Sequence, residues 1–241
     1  MTEIVSAINR IIDLDQTIVT HEIGGRLYSK DQLKRIPLPS ESEPAPITFN
    51  TLTGLAAFAK SLPEKNVFFH VESPNAVRLL GELQPENFNK RFCFAQAETD
   101  FTSFAFASTR NQSWIDLELF VISMQSLFVP TEARENIINL LGSVSNDAVE
   151  TNNDDGFSQS LQVRIGINLR EKAKVENPVT LNPYRTFAEV EQPEGKFILR
   201  IRKSGGLQCS LWEADGGLWK NKAMELIRQW LDFETEIPVL A

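Results

Sequence analysis

The clearest pattern in the chain is the alternation in FSQSLQVRIGINLR, residues 157–170. Apolar side chains from Phe157 to Leu169 alternate with serine, glutamine, asparagine and arginine. A period of two over this length is typical of a strand with one face against a core and the other in water. We therefore predict one long, half-buried strand, with Gly166 at a bulge.

The elements around this strand predict an α+β fold with a mostly antiparallel sheet. Residues 196–203 and 207–213 alternate in the same way around Ser204-Gly205-Gly206, which predicts a hairpin. Together with the first strand they would form a long-strand meander over about 157–213, with helices at its flanks. Helices are predicted, from apolar residues three and four positions apart, at 2–14, 50–62, 115–128, 131–142 and 218–233. Shorter strands are predicted at 67–71, 76–83, 91–97 and 237–240.

A proline-rich segment divides the chain. Residues 37–46, PLPSESEPAP, contain four prolines with serines and acids between them, and they predict a linker. Residues 1–36 before it predict an N-terminal helix and a β-hairpin that turns at Gly24-Gly25. Residues 47–241 after it predict the main α+β domain. The composition of this linker permits the N-terminal segment to cross to a neighbouring subunit, which would be a domain swap.

Composition favours a cytoplasmic protein. The net charge of −8 disfavours non-specific binding to nucleic acid or anionic lipid. Cys93 and Cys209 lie far apart in the sequence, without the spacing of a disulfide framework or a metal site, and reduced thiols suit the cytoplasm. The N-terminus, MTEIVSAINRIIDLDQ, carries acids and no long apolar run, so no signal peptide is predicted.

The sequence has none of the common catalytic motifs. It contains no GxxxxGK[ST], GxGxxG, GxSxG or HExxH pattern. Its two histidines, His21 and His70, are few for acid–base chemistry or metal binding, and we interpret them as structural residues of strands. We therefore expect no catalytic residue, no metal and no cofactor.

An acidic loop offers one alternative. Its carboxylates are Asp147, Glu150, Asp154 and Asp155. Oxygen-rich loops bind calcium, but the EF-hand pattern fails here, because placing Gly156 at the invariant glycine puts Thr151 and Gln162 at the first and last ligand positions. A solvated loop is the better interpretation. A metal-dependent enzyme that uses these acids stays open as a third hypothesis.

The strongest functional signal is the basic stretch from 157 to 203. It holds nine Lys and Arg against five Asp and Glu, in a chain that is acidic elsewhere. An open sheet face with arginines and an aromatic side chain can hold a nucleic-acid strand by phosphate contacts and base stacking. The alternative is structural: such arginines often pair with acids, and the tryptophan can lie under a helix or in a subunit contact. The candidates for nucleic-acid or anion binding are Arg164, Arg170, Lys172, Lys174, Arg200, Arg202 and Trp212.

A second candidate surface is a run of phenylalanines. Phe101, Phe104 and Phe106 lie among serines and alanines without clear periodicity. A segment of this kind is where an exposed apolar patch, and therefore a partner interface, is least surprising. Core packing is the competing interpretation.

Several segments together resemble uncharacterised proteins of tailed phages and prophages, over nearly the whole chain. These are IGGRLYSKDQLKRI (23–36), ITFNTLTGLAAF (47–58), NDDGFSQ (153–159), NPVTLNPYRTFAEVEQP (177–193) and LWEADGGLWKNKAMELI (211–227). The genes of that group commonly lie in early regions, near replication, recombination or host-takeover functions. The resemblance implies a phage origin and the host cytoplasm, and it supplies no activity or catalytic residue.

Three functional hypotheses follow from these observations. The first is a non-enzymatic phage accessory protein that self-assembles into a homo-oligomer and binds a host or phage partner in host takeover, anti-defence or replication support. The second is a single-stranded nucleic-acid-binding protein of phage recombination or replication, which would use the basic sheet face. The third is the metal-dependent enzyme described above.

Overall fold

The computed structural model describes residues 20–24, 26–29, 45–63, 66–84, 90–100, 114–143, 159–165, 169–175 and 177–241. For 20–21, 26–29, 159–165 and 169–175 it describes the backbone alone. Backbone contacts divide the chain into two units, Met1–Ala45 and Pro46–Ala241. The predicted helix at 2–14 and all but the last two residues of the predicted linker lie outside the described residues.

The described part of the first unit is a β-hairpin. Strands β1 (Thr20–Ile23) and β2 (Arg26–Ser29) pair antiparallel, with Ile23 opposite Arg26. Gly24 has a φ of 59°, in the left-handed region that a residue without a Cβ adopts at little cost. The predicted hairpin is therefore confirmed.

The second unit is α+β, as predicted. Its described helices are α1 (Leu52–Ser61), α2 (Leu117–Leu127), α3 (Glu132–Ser143) and α4 (Trp219–Glu234). Each begins and ends within two residues of its predicted bounds, because the apolar stripe that packs on a sheet has a period of 3.6. Within the described residues, no helix has both the length and the hydropathy required to span a membrane.

Five strands of the second unit form a mixed sheet. They are β3 (Ile47–Phe49), β4 (Val67–Ser73), β5 (Ala76–Gln84), β6 (Lys90–Glu98) and β13 (Val239–Leu240). The order is β13-β4-β5-β6-β3. The three central strands pair antiparallel, as the sequence predicts, whereas β13 runs parallel to β4 and β3 runs parallel to β6. The sequence did not predict β3, since three residues are too few for a periodic pattern.

Helices α1 and α4 cover one face of this five-stranded sheet. Leu52 and Leu55 of α1 and Ile227 of α4 are fully buried against Phe69 and Leu79 of the sheet. Each such side chain contributes about 1.5–3 kcal/mol on leaving water. This cluster is the first of two hydrophobic cores in the unit.

Four strands form a second, antiparallel sheet. They are β7 (Ile115–Asp116), β10 (Val179–Leu181), β11 (Gly195–Lys203) and β12 (Leu207–Glu213), in the order β10-β11-β12-β7. The predicted hairpin around Ser204-Gly205-Gly206 is confirmed as β11 and β12. The inner face of the sheet packs on Phe120 and Met124 of α2 and on Ile137 and Leu141 of α3. It contributes the buried side chains Leu181, Phe197, Leu199, Ile201, Leu207, Cys209 and Leu211.

The alternating stretch at 157–170 is not one strand. It is divided between β8 (Gln159–Ile165) and β9 (Leu169–Val175), which pair antiparallel with Ile165 opposite Leu169. A period of two continues through a reversal of the chain, and Gly166 and Asn168 are residue types that favour a turn. These two strands form a sheet of their own, so the predicted meander over about 157–213 belongs to two sheets.

Candidate functional site

The candidate site is the outer face of the four-stranded sheet, the side opposite α2 and α3. The strand period of two places the polar residues of β10, β11 and β12 on this face, while their neighbours enter the core. Strand β7 also contributes to this face, because Asp116 lies opposite Gln208 in the strand register. The outer face consists of Thr180, Lys196, Ile198, Arg200, Arg202, Gln208, Ser210, Trp212 and Asp116, together with Trp114, which contacts it.

Three of the predicted binding residues meet on this outer face. Arg200 lies opposite Ser210, Arg202 opposite Gln208, and Trp212 opposite Ile198. The sequence predicted this arrangement, because all three share the polar parity of their strands. Arg202 is exposed, whereas Arg200 and Trp212 are half-buried.

The other four predicted residues lie in a different sheet. Arg164 is in β8, and Arg170, Lys172 and Lys174 are in β9. In the backbone register Arg164 lies opposite Arg170, and Lys172 lies opposite Gln162. The structure therefore does not place these four residues in the sheet that carries Arg200 and Arg202.

Arg202 has an unusual set of partners. Its guanidinium carbon lies 4.1 Å from the centre of the Trp114 ring, and its Nε donates to Gln208 Oε1 at 2.9 Å. In the described part of the chain it forms no ion pair with a carboxylate. A guanidinium on an aromatic ring keeps N–H donors for a phosphate, and the ring can also stack on a base.

Trp114 is a site residue that the sequence did not single out. It precedes the two-residue strand β7 and reaches Arg202 only because β7 pairs with β12. No local pattern predicts a pairing between such distant segments. The described outer face thus carries three cations, Lys196, Arg200 and Arg202, against the single carboxylate of Asp116.

At the β10–β11 end of the outer face, the chain between these strands is ordered by Gln192. The Gln192 Oε1 atom accepts hydrogen bonds from the backbone N–H groups of Arg185 and Thr186, at 2.9 and 3.2 Å. Its Nε2 donates to the Phe187 carbonyl at 3.0 Å. Phe187 in turn enters the core of the five-stranded sheet. The side-chain amide of Gln192 therefore forms hydrogen bonds with backbone groups that would otherwise be buried without a partner.

Arg185 is a buried charge held between the two cores. Its Nη1 donates to Glu213 Oε1 at 2.9 Å, and its guanidinium carbon lies 4.0 Å from the centre of the Trp219 ring. Burial lowers the Arg185 pKa to about 10, an effect that the charges of Glu213 and Asp215 oppose. A Cβ on Gly195 would lie 2.5 Å from Arg185 Nη2, so this approach requires glycine. Such a charge is tolerated because it is paired.

A cavity of about 380 Å³ opens beside this arginine. It lies between the edge of the four-stranded sheet, the segment 191–195 and the first half of α4. Its lining residues are Thr180, Asn182, Glu191, Gln192, Pro193, Glu194, Gly195, Lys196, Asp215, Leu218, Trp219, Lys222 and Leu226. Thr180 and Lys196 also belong to the outer face, so the cavity is continuous with that face.

Other predicted sites fall elsewhere. The phenylalanines Phe101, Phe104 and Phe106 lie outside the described residues, as do the carboxylates Asp147, Glu150, Asp154 and Asp155. Where the chain is described, no group of three or more His, Cys, Asp and Glu side chains is arranged to hold a metal ion. His70 lies in β4, between Arg78 of β5 and Leu240 of the edge strand β13.

The chain matches no protein-family model, no curated protein and no solved structure.

Proposed function

We propose that this chain is a non-enzymatic accessory protein of a tailed phage, and that it binds single-stranded nucleic acid on the outer face of the four-stranded sheet. The observation that carries the proposal is Arg202, which rests on Trp114 and hydrogen-bonds Gln208, with no carboxylate partner in the described structure. Lys196, Arg200 and Trp212 share its face. The phage origin rests on the sequence resemblance alone.

This combination suits a single strand better than a duplex. A flexible strand can place its phosphates against arginines and its bases against tryptophans on one sheet surface. The net charge of −8 repels nucleic acid at long range, so binding must depend on the local excess of cations on the outer face. We therefore expect moderate affinity with a steep dependence on salt.

Fluorescence anisotropy with a labelled oligothymidylate at low salt tests the proposal. The variant Arg200→Ala with Arg202→Ala should weaken binding about tenfold or more, because hydrogen bonds to charged groups are worth about 1.5–3 kcal/mol each. The slope of log K against log salt should fall by about 1.4, or 0.7 for each lost phosphate contact. Arg202→Ala alone is the milder variant, since Arg202 is exposed and its loss leaves the core intact.

The matched control is Arg78→Ala. Arg78 lies on the outward side of the five-stranded sheet and is already paired with Glu72 at 2.9 Å. Its removal should leave oligothymidylate binding unchanged. The absence of binding by the native protein at low salt, or an equal loss in Arg78→Ala, would contradict the proposal.

Self-assembly with a protein partner is the second candidate function. It is favoured by Leu119 and Ile122, which lie one turn apart on α2 and are each 53% exposed. Large apolar side chains exposed together on one helix are typical of a contact surface. Native mass spectrometry of the purified protein separates the two candidates. A closed oligomer that neither carries nor binds an oligonucleotide would favour this second function.

A further inference from the structure

The cavity at the start of α4 has the dimensions of a small-molecule site. Its volume of about 380 Å³ falls in the range of ligand pockets. Three parts of the chain form it: the Thr180–Lys196 pair of the sheet, the segment that carries Glu191 and Glu194, and α4. It therefore depends on the complete tertiary fold.

Four charged residues of the cavity lining have side chains that form no hydrogen bond and no ion pair within the described structure: Lys196, Lys222, Glu191 and Glu194. Of these, Lys222 interacts electrostatically with Glu225 on the same helix. Asp215 differs, because its Oδ1 accepts from the Gly217 backbone N–H at 2.9 Å. The cavity thus offers two ammonium groups and two carboxylates for a ligand that carries both an anion and hydrogen-bond donors.

The remaining wall is apolar and aromatic. Leu218, Trp219 and Leu226 line it. The Trp219 ring is held in place from behind by Arg185, which is stacked at 4.0 Å and has only 7% of its side chain exposed. A fixed aromatic ring beside leucines packs well against a planar ring system.

We propose that this cavity binds a nucleoside phosphate. The phosphate would accept hydrogen bonds from Lys196 and Lys222, the base would pack on Trp219, and the hydroxyl or amino groups would donate to Glu191 and Glu194. A purely anionic ligand would be repelled by the two glutamates, and a purely apolar one would pair with none of the four charges.

Two sources supply this ligand chemistry. One is a free nucleotide, and the other is the phosphorylated end of a strand that lies on the outer face. The second source rests on the proposed function, because Thr180 and Lys196 belong to both the outer face and the cavity. The first source does not.

Calorimetry with adenosine 5′-monophosphate tests the inference on the full-length protein. Lys222→Glu should weaken binding about tenfold or more, because it replaces a charge-assisted donor with a repelling carboxylate. Adenosine, which lacks the phosphate, should bind the native protein about tenfold more weakly. The control is Lys220→Glu, the same change two residues earlier in α4 at an exposed position outside the cavity lining, and it should bind like the native protein.

Several outcomes would overturn the inference. They are the absence of binding by a folded native protein, equal losses in Lys220→Glu and Lys222→Glu, and tighter binding of a zwitterionic dipeptide than of the nucleotide. Circular dichroism of each variant establishes that it is folded.

A separate comparison identifies the source of the ligand. If the strand end enters the cavity, a 5′-phosphorylated oligothymidylate should bind more tightly than the unphosphorylated one, and Lys222→Glu should remove the difference. If the protein binds no oligothymidylate but still binds the mononucleotide, the proposed function fails while the cavity assignment stands. If the protein binds oligothymidylate but not the mononucleotide, and a 5′-phosphate on the strand has no effect, the cavity assignment fails while the proposed function stands.

Discussion

The outward sides of the two sheets in the second unit invite comparison. Each sheet buries its other side under two helices, and each carries an arginine directly opposite a glutamine: Arg78 opposite Gln96, and Arg202 opposite Gln208. In the five-stranded sheet Arg78 is paired with Glu72 at 2.9 Å, and Gln96 donates to the Thr48 hydroxyl at 3.2 Å. In the four-stranded sheet the arginine and glutamine bond to each other, and the guanidinium rests on Trp114.

The same pair of residues therefore has two different electrostatic outcomes. On the five-stranded sheet a neighbouring carboxylate already balances the arginine. On the four-stranded sheet no carboxylate of the described structure pairs with Arg202. Among the described residues of that outer face, only Asp116 is acidic. Binding of a polyanion requires cations that the protein itself has not neutralised. The comparison shows why arginine content alone is a poor guide, and why the immediate neighbours of each arginine decide its role.

A carboxylate beside Arg202 would remove this difference between the two arginines. Gln208→Glu would place one at the atom that now accepts from Arg202 Nε at 2.9 Å, giving a pair like Arg78 with Glu72. We expect oligothymidylate affinity to fall about tenfold, because the new charge-assisted bond occupies the guanidinium and adds repulsion to phosphate. Anisotropy titrations at two salt concentrations measure the change.

Gln96→Glu is the control for that experiment. It makes the same substitution opposite the other arginine, on a face that the proposal leaves without nucleic acid. The oligothymidylate affinity of the Gln96→Glu variant should match that of the native protein. If Gln96→Glu weakened binding as much as Gln208→Glu, the effect would come from total charge, and the two outer faces would not differ in function.

The aromatic partners of the two faces provide a smaller test. Arg202 lies 4.1 Å from the centre of the Trp114 ring, and on the other sheet Arg91 lies 4.9 Å from the centre of the Phe68 ring. Trp114→Leu should cost roughly 1 kcal/mol of oligothymidylate affinity, about fivefold, through lost base stacking. Phe68→Leu should cost nothing measurable. Equal affinity of Trp114→Leu and native protein would mean that Trp114 serves only to hold Arg202.

Much of the fold was predictable because periodicity is local. The four described helices, the hairpin of β11 and β12 and the antiparallel centre of the five-stranded sheet all follow from apolar spacing within single segments. The two parallel edge strands, β3 and β13, are only three and two residues long. The strand predicted at 237–240 contains β13, whereas β3 is too short for a periodic pattern, and no local pattern indicates that either strand pairs parallel with its neighbour.

The candidate site was predictable only in part, and for the same reason. Parity along β11 and β12 placed Arg200, Arg202 and Trp212 on one face. The contribution of Trp114 depends on a pairing between segments almost a hundred residues apart. The cavity likewise combines β10, the segment 191–195 and α4, which no spacing rule connects.

The smallest predicted effect compares the two thiols of the second unit, Cys209 on the inner side of the four-stranded sheet and Cys93 near Arg78 and Glu72 of the five-stranded sheet. Cys209 is fully buried on the inner face of β12, and burial raises its pKa to about 12. Cys93, in β6, is only half-buried; burial raises its pKa as well, while Arg78 partly opposes the shift. At pH 8 a thiol reagent should therefore modify Cys93 slowly and Cys209 not at all, with both reacting in denaturant.

The same shift gives a direction for the pH dependence of folding. In the unfolded chain Cys209 loses its proton near pH 9, whereas in the folded chain it keeps the proton up to about pH 12. Between these values the folded state binds more protons, so the contribution of Cys209 to stability is complete below pH 9 and declines as the pH rises.

A Cys93→Ser variant isolates Cys209 for the labelling measurement. Rapid modification of Cys209 in that folded variant would show that the core under the four-stranded sheet opens, and the rigid outer face proposed for binding would lose its support.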